Sequence, residues 1–79
     1  MFRPAKIGRA SEDVVLQIEA AILSGQISKG ERLPSERNLQ VVFKSSRGVI
    51  REALCALEHK GLIEIKKGVH GGASVKDIG

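Results

Sequence analysis

A three-residue break at residues 44–46 limits the fold of this chain more than any other feature, because it separates two short segments whose apolar residues have helical spacing. Serine, which fills two of the three positions, competes for backbone hydrogen bonds and favours caps and turns over helix interiors. Before the break, Ser35 is predicted to cap a helix that ends at about Val42 or Phe43. The predicted inner face of this helix consists of Leu39, Val42 and Phe43.

After the break, Ser45 or Ser46 is predicted to cap a third helix, and Gly61 to end it. The apolar positions of this helix again follow helical spacing: Val49, Ile50, Ala53, Leu54 and Leu57. Two helices joined by a three-residue turn are typical of a helix-turn-helix motif.

A first helix is predicted before this pair, with Ser11 as its N-cap and Gly25 as its left-handed stop. Its apolar residues are Val14, Val15, Ile18, Ala21, Ile22 and Leu23. Residues 27–34 form a loop that is expected to hold a short extended piece near Arg32 and Leu33. Because the helix has one apolar face, it is expected to pack against the other two.

A β-hairpin is predicted after the third helix. Residues 62–67 are apolar early and basic late, as in a strand; residues 68–72 are a glycine-rich turn, and residues 73–76 are the return strand. The predicted fold is therefore mainly α with a small β-hairpin: a winged helix-turn-helix of three helices plus a two-stranded wing. Residues 11–76 are expected to form this domain, after a flexible basic arm at residues 1–10.

Composition narrows the class of protein. Seventy-nine residues with two Phe, no Trp and no Tyr allow one domain with an aliphatic core, which has no volume to spare for a deep substrate pocket. Cys55 is the single cysteine and is expected to be semi-buried, so neither a disulfide framework nor a thiolate metal site is predicted. Without an apolar run of the ~20 residues a membrane span needs, and without a signal-peptide pattern, a cytoplasmic protein is expected.

Charge points to a polyanionic partner. The chain has 13 Lys plus Arg against 9 Asp plus Glu, and the segment 37–51 contains four cations and no acidic residue. Those cations are Arg37, Lys44, Arg47 and Arg51. Because Arg47 and Arg51 are four residues apart, they share one face of the third helix near its start, where helix-turn-helix proteins reach base edges. The arginine fork can bind guanine O6 and N7 with two hydrogen bonds.

Other residues extend this predicted DNA contact. The hydroxyls of Ser45 and Ser46 and the first-turn N–H groups suit a phosphate, and Gly48 permits close approach of the backbone. The wing, residues 66–72, is predicted to lie at the minor groove or the DNA backbone. The remaining predicted contacts are Ser35 and Lys44 and, in the wing, Lys67, Gly68 and His70. The alternative is that Arg37, Arg47 and Arg51 only form ion pairs with Glu36, Glu52 or Glu58, and that the wing glycines only close the turn.

Several motifs resemble the GntR family of bacterial transcription regulators. They are Leu33-Pro34-Ser35-Glu36-Arg37, Ser46-Arg47, Val49-Ile50-Arg51-Glu52-Ala53-Leu54, Leu57 and Gly61-Leu62-Ile63, with Gly71-Gly72 resembling the FadR-like subgroup. The match covers roughly residues 11–76. The resemblance implies a winged helix in which Arg37, Arg47 and Arg51 contact an operator and Lys67 and Gly68 reach the minor groove.

The chain departs from the family pattern in two ways. Lys44-Ser45 replaces the usual Gly-Val before the Ser-Arg pair, which predicts a looser or differently shaped turn. Family members also carry a C-terminal domain for dimerisation and effector binding. The chain is therefore interpreted as a fragment or an isolated DNA-binding domain, with residues 77–79 as a tail toward that domain. The partners implied are a palindromic operator, a second copy of the parent protein and a small-molecule effector outside this chain.

Catalysis is not predicted. His59 and His70 have no metal-ligand spacing around them, residues 68–72 lack the Lys-Ser/Thr and the helix of a P-loop, and no Ser/His/Asp arrangement is present. The chain is therefore predicted not to be an enzyme and to need no cofactor. The alternative to DNA binding is a winged-helix module for protein–protein interaction.

Overall fold

The computed structural model describes residue 4 and residues 8–66 and 72–76. Its elements are α1 (Ala10–Leu23), α2 (Glu36–Phe43), α3 (Arg47–His59), β1 (Ile63–Lys66) and β2 (Gly72–Val75). This order of three helices and a two-stranded hairpin confirms the predicted winged helix-turn-helix. Within the described residues, no helix is both long and apolar enough to cross a membrane.

The core is aliphatic except for one phenylalanine. Its largest fully buried side chains are Val14, Ile18, Leu39, Phe43, Ile50, Leu57 and Ile63. They come from all three helices and from β1, so burial of one continuous cluster fixes how the elements pack. The buried stripe of α3 faces this core and leaves the opposite side of α3 on the surface.

The hairpin is antiparallel, and its register pairs Ile63 with Val75 and Lys66 with Gly72. The loop before α2 adds an extended piece to the other edge of β2. There Arg32 and Ser74 form an isolated bridge, and the Leu33 N–H donates to the Ala73 carbonyl at 2.8 Å. The predicted extended piece is thus confirmed, and it carries Arg32 to the base of the wing.

Two of the three predicted helix caps are confirmed. The hydroxyl of Ser35 accepts a hydrogen bond from the Asn38 N–H at 3.1 Å, and that of Ser46 accepts one from the Val49 N–H at 3.3 Å. The prediction that Ser11 caps α1 is wrong. The helix begins two residues earlier than predicted, at Ala10, and its N-cap residue, Arg9, makes no side-chain capping bond.

Two predictions of burial are also wrong. Val42 was expected on the inner face of α2 but is 39% exposed. Leu39 and Phe43 lie about 40° apart around the helix axis, whereas Val42 is about 100° from Phe43 and falls at the edge of the buried stripe. Cys55 is exposed rather than semi-buried, because Leu54 and Leu57 turn inward on either side of it.

The turn between α2 and α3 is closed by hydrogen bonds. Lys44 adopts the left-handed conformation, with φ 52° and ψ 47°. The Lys44 N–H donates to the Val41 carbonyl at 3.3 Å, and the Ser45 N–H donates to the Gln40 carbonyl at 3.0 Å. The turn therefore keeps a defined shape without the glycine that usually provides this conformation, at a cost of roughly 1–2 kcal/mol.

Candidate nucleic-acid interface

The exposed face of α3 carries two arginines side by side. Arg47 and Arg51 are one helical turn apart, and their side chains are 68% and 61% exposed. The buried residues of the same turns, Ile50 and Leu54, adjoin this face, at about 20–100° from the two arginines around the helix axis. The guanidinium groups therefore leave the protein on one side, in the N-terminal half of the helix.

The start of α3 presents hydrogen-bond donors. Since the Ser46 hydroxyl accepts the capping bond through a lone pair, its own proton remains available to a ligand. The first-turn N–H groups of Arg47 and Gly48 have no carbonyl partner within the helix, and the first turn contains no acidic residue. Both features favour an anion such as phosphate.

The two serines of the turn have different roles. The Ser45 hydroxyl donates to the Phe43 carbonyl at 3.1 Å, and the residue is half-buried. Its proton is therefore engaged inside the turn. Ser46 is exposed and caps α3. Of this pair, the geometry leaves Ser46 as the better phosphate donor.

The first turn of α2 lies next to this face. Ser35 and Arg37 are exposed, and the capping bond leaves the Ser35 hydroxyl proton available as well. Within the described residues, Arg37 makes no ion pair. Lys44 is exposed at the other end of α2, in the turn that leads to α3.

Glu36 reaches from α2 to both arginines of α3. Its Oε1 lies 3.6 Å from Arg47 Nε and its Oε2 lies 3.5 Å from Arg51 Nε. The alternative expectation of ion pairing is thus met for these two arginines with Glu36. Ion pairs this exposed contribute only about 0–1 kcal/mol each, so they do not prevent the arginines from binding DNA.

A groove of about 580 Å³ separates the face of α3 from the wing. Arg32, Arg51 and Lys66 contribute three cations to its lining. A Cβ atom at Gly72 would lie 3.6 Å from Arg32 Nε, an ordinary van der Waals distance, so the Arg32 side chain packs next to the backbone of Gly72. The predicted contacts included the wing from Lys66 onward but omitted Arg32; only the pairing of residue 32 with β2 brings Arg32 beside α3.

Gly48 has no close neighbour in the protein. A Cβ atom there would meet only the Ser46 hydroxyl oxygen, at 4.0 Å. No internal packing therefore explains the glycine, which is consistent with close approach by an external ligand. The predicted wing contacts Lys67, Gly68 and His70 lie outside the described residues.

No metal site is found in the part of the chain that the structure describes, because no group of three His, Cys, Asp or Glu side chains converges there.

Comparison with known proteins points to a regulatory protein. The family model described as "Bacterial regulatory proteins, gntR family" matches residues 10–71. The chain belongs to the GntR family. This confirms the resemblance to that family drawn from its motifs.

Curated relatives of this GntR chain are transcriptional repressors named NanR. Those of Klebsiella aerogenes and Escherichia coli are each 42% identical over 66 residues, which make up 84% of this chain and 25% of the relative. The chain therefore spans about a quarter of the length of these relatives.

Solved structures of the family share the fold. A GntR family member from Pseudomonas syringae has a TM-score of 0.81 and 28% identity, over 96% of this chain and 31% of that one. The DNA-binding domain of AraR, solved in complex with operator ORR3, has a TM-score of 0.77 and 32% identity, over 82% of this chain and 76% of that one.

Proposed function

We propose that this chain binds duplex DNA with sequence preference, as the DNA-binding part of a transcription regulator, by placing α3 in the major groove. The observation that carries the proposal is the outward face of α3, where Arg47 and Arg51 leave the protein on a helix whose own first turn contains no acidic residue. A helix fits the major groove, and each guanidinium fork matches the two acceptors of guanine. The AraR domain, solved in complex with an operator, supports DNA binding by this fold.

The proposed contacts fall into two classes. Arg47 and Arg51 read bases, because they project from the first two turns of the helix that enters the groove. Ser35, Arg37 and Ser46 hold phosphates beside the groove, together with the first-turn N–H groups of α3. The first class sets sequence preference, and the second sets affinity and register.

The turn and the wing complete the proposed interface. Lys44 adds a cation beside the start of α3, Ser45 shapes the turn, and Gly48 allows the backbone to approach DNA. Arg32 and Lys66 carry positive charge along the groove toward the wing. The wing residues Lys67, Gly68 and His70 are proposed to contact the sugar-phosphate backbone or the minor groove.

The wider role follows from the relatives named as repressors. We propose that the parent protein acts in the bacterial cytoplasm as a dimeric repressor on a palindromic operator, and that a small metabolite acid binds outside residues 11–76. Two-fold symmetry would place the half-sites about one helical turn apart. The role proposed for this chain is binding, with no catalysis and no cofactor.

The test is selection of bound sequences from a random duplex pool by the 79-residue chain, followed by titration of the enriched duplex at 50 and 200 mM salt. We expect enrichment of one motif, weak affinity near ~10⁻⁴–10⁻⁶ M for unrelated duplexes, and a steep loss of affinity with salt. A pool without enrichment contradicts the proposal. An affinity for duplex DNA that is the same at both salt concentrations contradicts it too, and favours a protein partner instead.

A further inference from the structure

Glu36 is the one acidic residue that the described structure places against the proposed base-reading face. It is the first residue of α2, and its side chain is 37% exposed, less than either arginine it touches. Ser35 caps the helix immediately before it, and Leu39 and Phe43 bury the same helix in the core. The carboxylate is therefore presented to α3 from a rigid support.

The carboxylate of Glu36 is shared between the two arginines. Each carboxylate oxygen contacts the Nε atom of a different arginine, at 3.6 Å for Arg47 and 3.5 Å for Arg51. A guanidinium has five N–H donors in a planar fork, so a contact at Nε leaves the terminal donors for a base. Glu36 thus holds both forks at their inner edge and restricts two flexible side chains before DNA arrives.

The negative charge of Glu36 also competes with DNA. On an unrelated duplex the arginines gain only screened attraction to phosphate, and the carboxylate offsets part of it. On the preferred duplex the aligned forks gain directed hydrogen bonds to bases. We propose that Glu36 is a specificity-determining positioning residue, which weakens binding to unrelated DNA and orients Arg47 and Arg51 for base reading. This inference rests on the proposed function.

A second role for Glu36 must be separated from this one, because an acidic residue in the first turn stabilises its own helix through the helix dipole. Glu12 provides the matched control: it lies in the first turn of α1, beside the groove between α1 and α3 rather than on the arginine face. Glu36→Gln and Glu12→Gln raise the net charge equally and remove the same kind of helix–dipole contact.

The first measurement needs no DNA. In nitrogen-15 spectra of the 79-residue chain, we expect Glu36→Gln to shift the Nε–H signals of Arg47 and Arg51 and to leave that of Arg37 in place. Glu12→Gln should move none of the three. Unchanged Arg47 and Arg51 signals in Glu36→Gln would overturn the inference, whatever the DNA results.

The second measurement compares affinity for the selected duplex and for a scrambled duplex of the same composition. Glu36→Gln should raise affinity for the scrambled duplex by about three- to tenfold, the scale of two weak ion pairs. Affinity for the selected duplex should rise by less than about twofold, so that discrimination falls by about threefold or more. Glu12→Gln should change both affinities by one common factor.

The outcomes separate the two proposals. Enrichment of a motif with unchanged discrimination in Glu36→Gln overturns the role of Glu36 and leaves the proposed function standing. A selection that enriches nothing overturns the proposed function, and the specificity role of Glu36 with it, even if the arginine signals shift. Falling discrimination in Glu36→Gln alone supports both.

Discussion

The carboxylate of Glu58, in the last turns of α3, accepts a hydrogen bond from the backbone N–H of Ile65 at 3.3 Å. Ile65 lies in the middle of β1, so this bond ties the helix proposed to enter DNA to the first strand of the wing. The groove that holds Arg51 and Lys66 lies between the same two elements. The relative placement of helix and wing therefore depends partly on a single exposed side chain.

Replacing Glu58 with Ala should loosen this connection. We expect faster hydrogen exchange at the Ile65 amide and a loss of about 0.5–1.5 kcal/mol in the free energy of unfolding. Glu64→Ala, which removes an exposed carboxylate from the neighbouring strand position, is the control and should leave Ile65 exchange unchanged. Equal exchange rates at Ile65 in the two variants would rule out the connection.

Two substitutions of Ser46 distinguish its role in capping α3 from its proposed contact with DNA. Ser46→Ala should lower the free energy of unfolding by about 0.5–2 kcal/mol, because the Val49 N–H loses its acceptor. Ser46→Asp should keep stability near that of the original chain, since Asp is also a good N-cap, yet lose DNA affinity because its charge repels phosphate. Thermal unfolding measures the stability of the two Ser46 variants, and titration with duplex measures their DNA affinity. An Asp variant that binds DNA normally would exclude Ser46 from the interface.

Lys44 is the residue of the α2–α3 turn that adopts the left-handed backbone conformation. Lys44→Gly should raise the free energy of unfolding by about 1 kcal/mol, because glycine adopts this conformation without a Cβ clash. Lys44→Ala keeps the Cβ atom and should give no such gain, while both variants lose the same charge and bind DNA equally less tightly. Stability that rises in both variants would show that charge, not backbone conformation, limits the turn.

What the sequence predicted well was local. Ser35 and Ser46 cap helices through bonds to N–H groups three residues later, so their role can be inferred from the neighbouring residues alone. The paired arginines of α3 follow from helical periodicity in the same way. Family membership followed from motifs in fixed order. These features need no knowledge of how the helices pack.

What the sequence missed depends on packing. Arg32 reaches the groove only because its segment pairs with β2, forty residues further along the chain. The sequence offered Glu36, Glu52 and Glu58 as possible ion-pair partners of the arginines. Only the packing of α2 against α3 shows that Glu36 is the partner of Arg47 and Arg51. Val42 and Cys55 were misjudged because each lies next to buried residues in sequence, while a turn of about 100° per residue takes the side chain to another face.

Arg32 is expected to contact phosphate rather than a base, since it lies toward the wing and not on α3. Arg32→Ala should weaken binding to selected and scrambled duplexes by a common factor and reduce the salt slope by about one. Lys60→Ala, at the residue that follows α3, is the control and should leave the slope unchanged. A loss confined to the selected duplex would instead make Arg32 a base contact.

The most direct test is the affinity of Arg51→Ala for the selected and scrambled duplexes, compared with that of Lys60→Ala, a cation lost just beyond the end of the same helix. Arg51→Ala should cost about 1–3 kcal/mol on the selected duplex, a loss of about 5- to 150-fold, with a much smaller loss on the scrambled one. Lys60→Ala should leave the preference intact. Unchanged affinity and preference in Arg51→Ala would contradict the claim that the arginine face of α3 reads DNA.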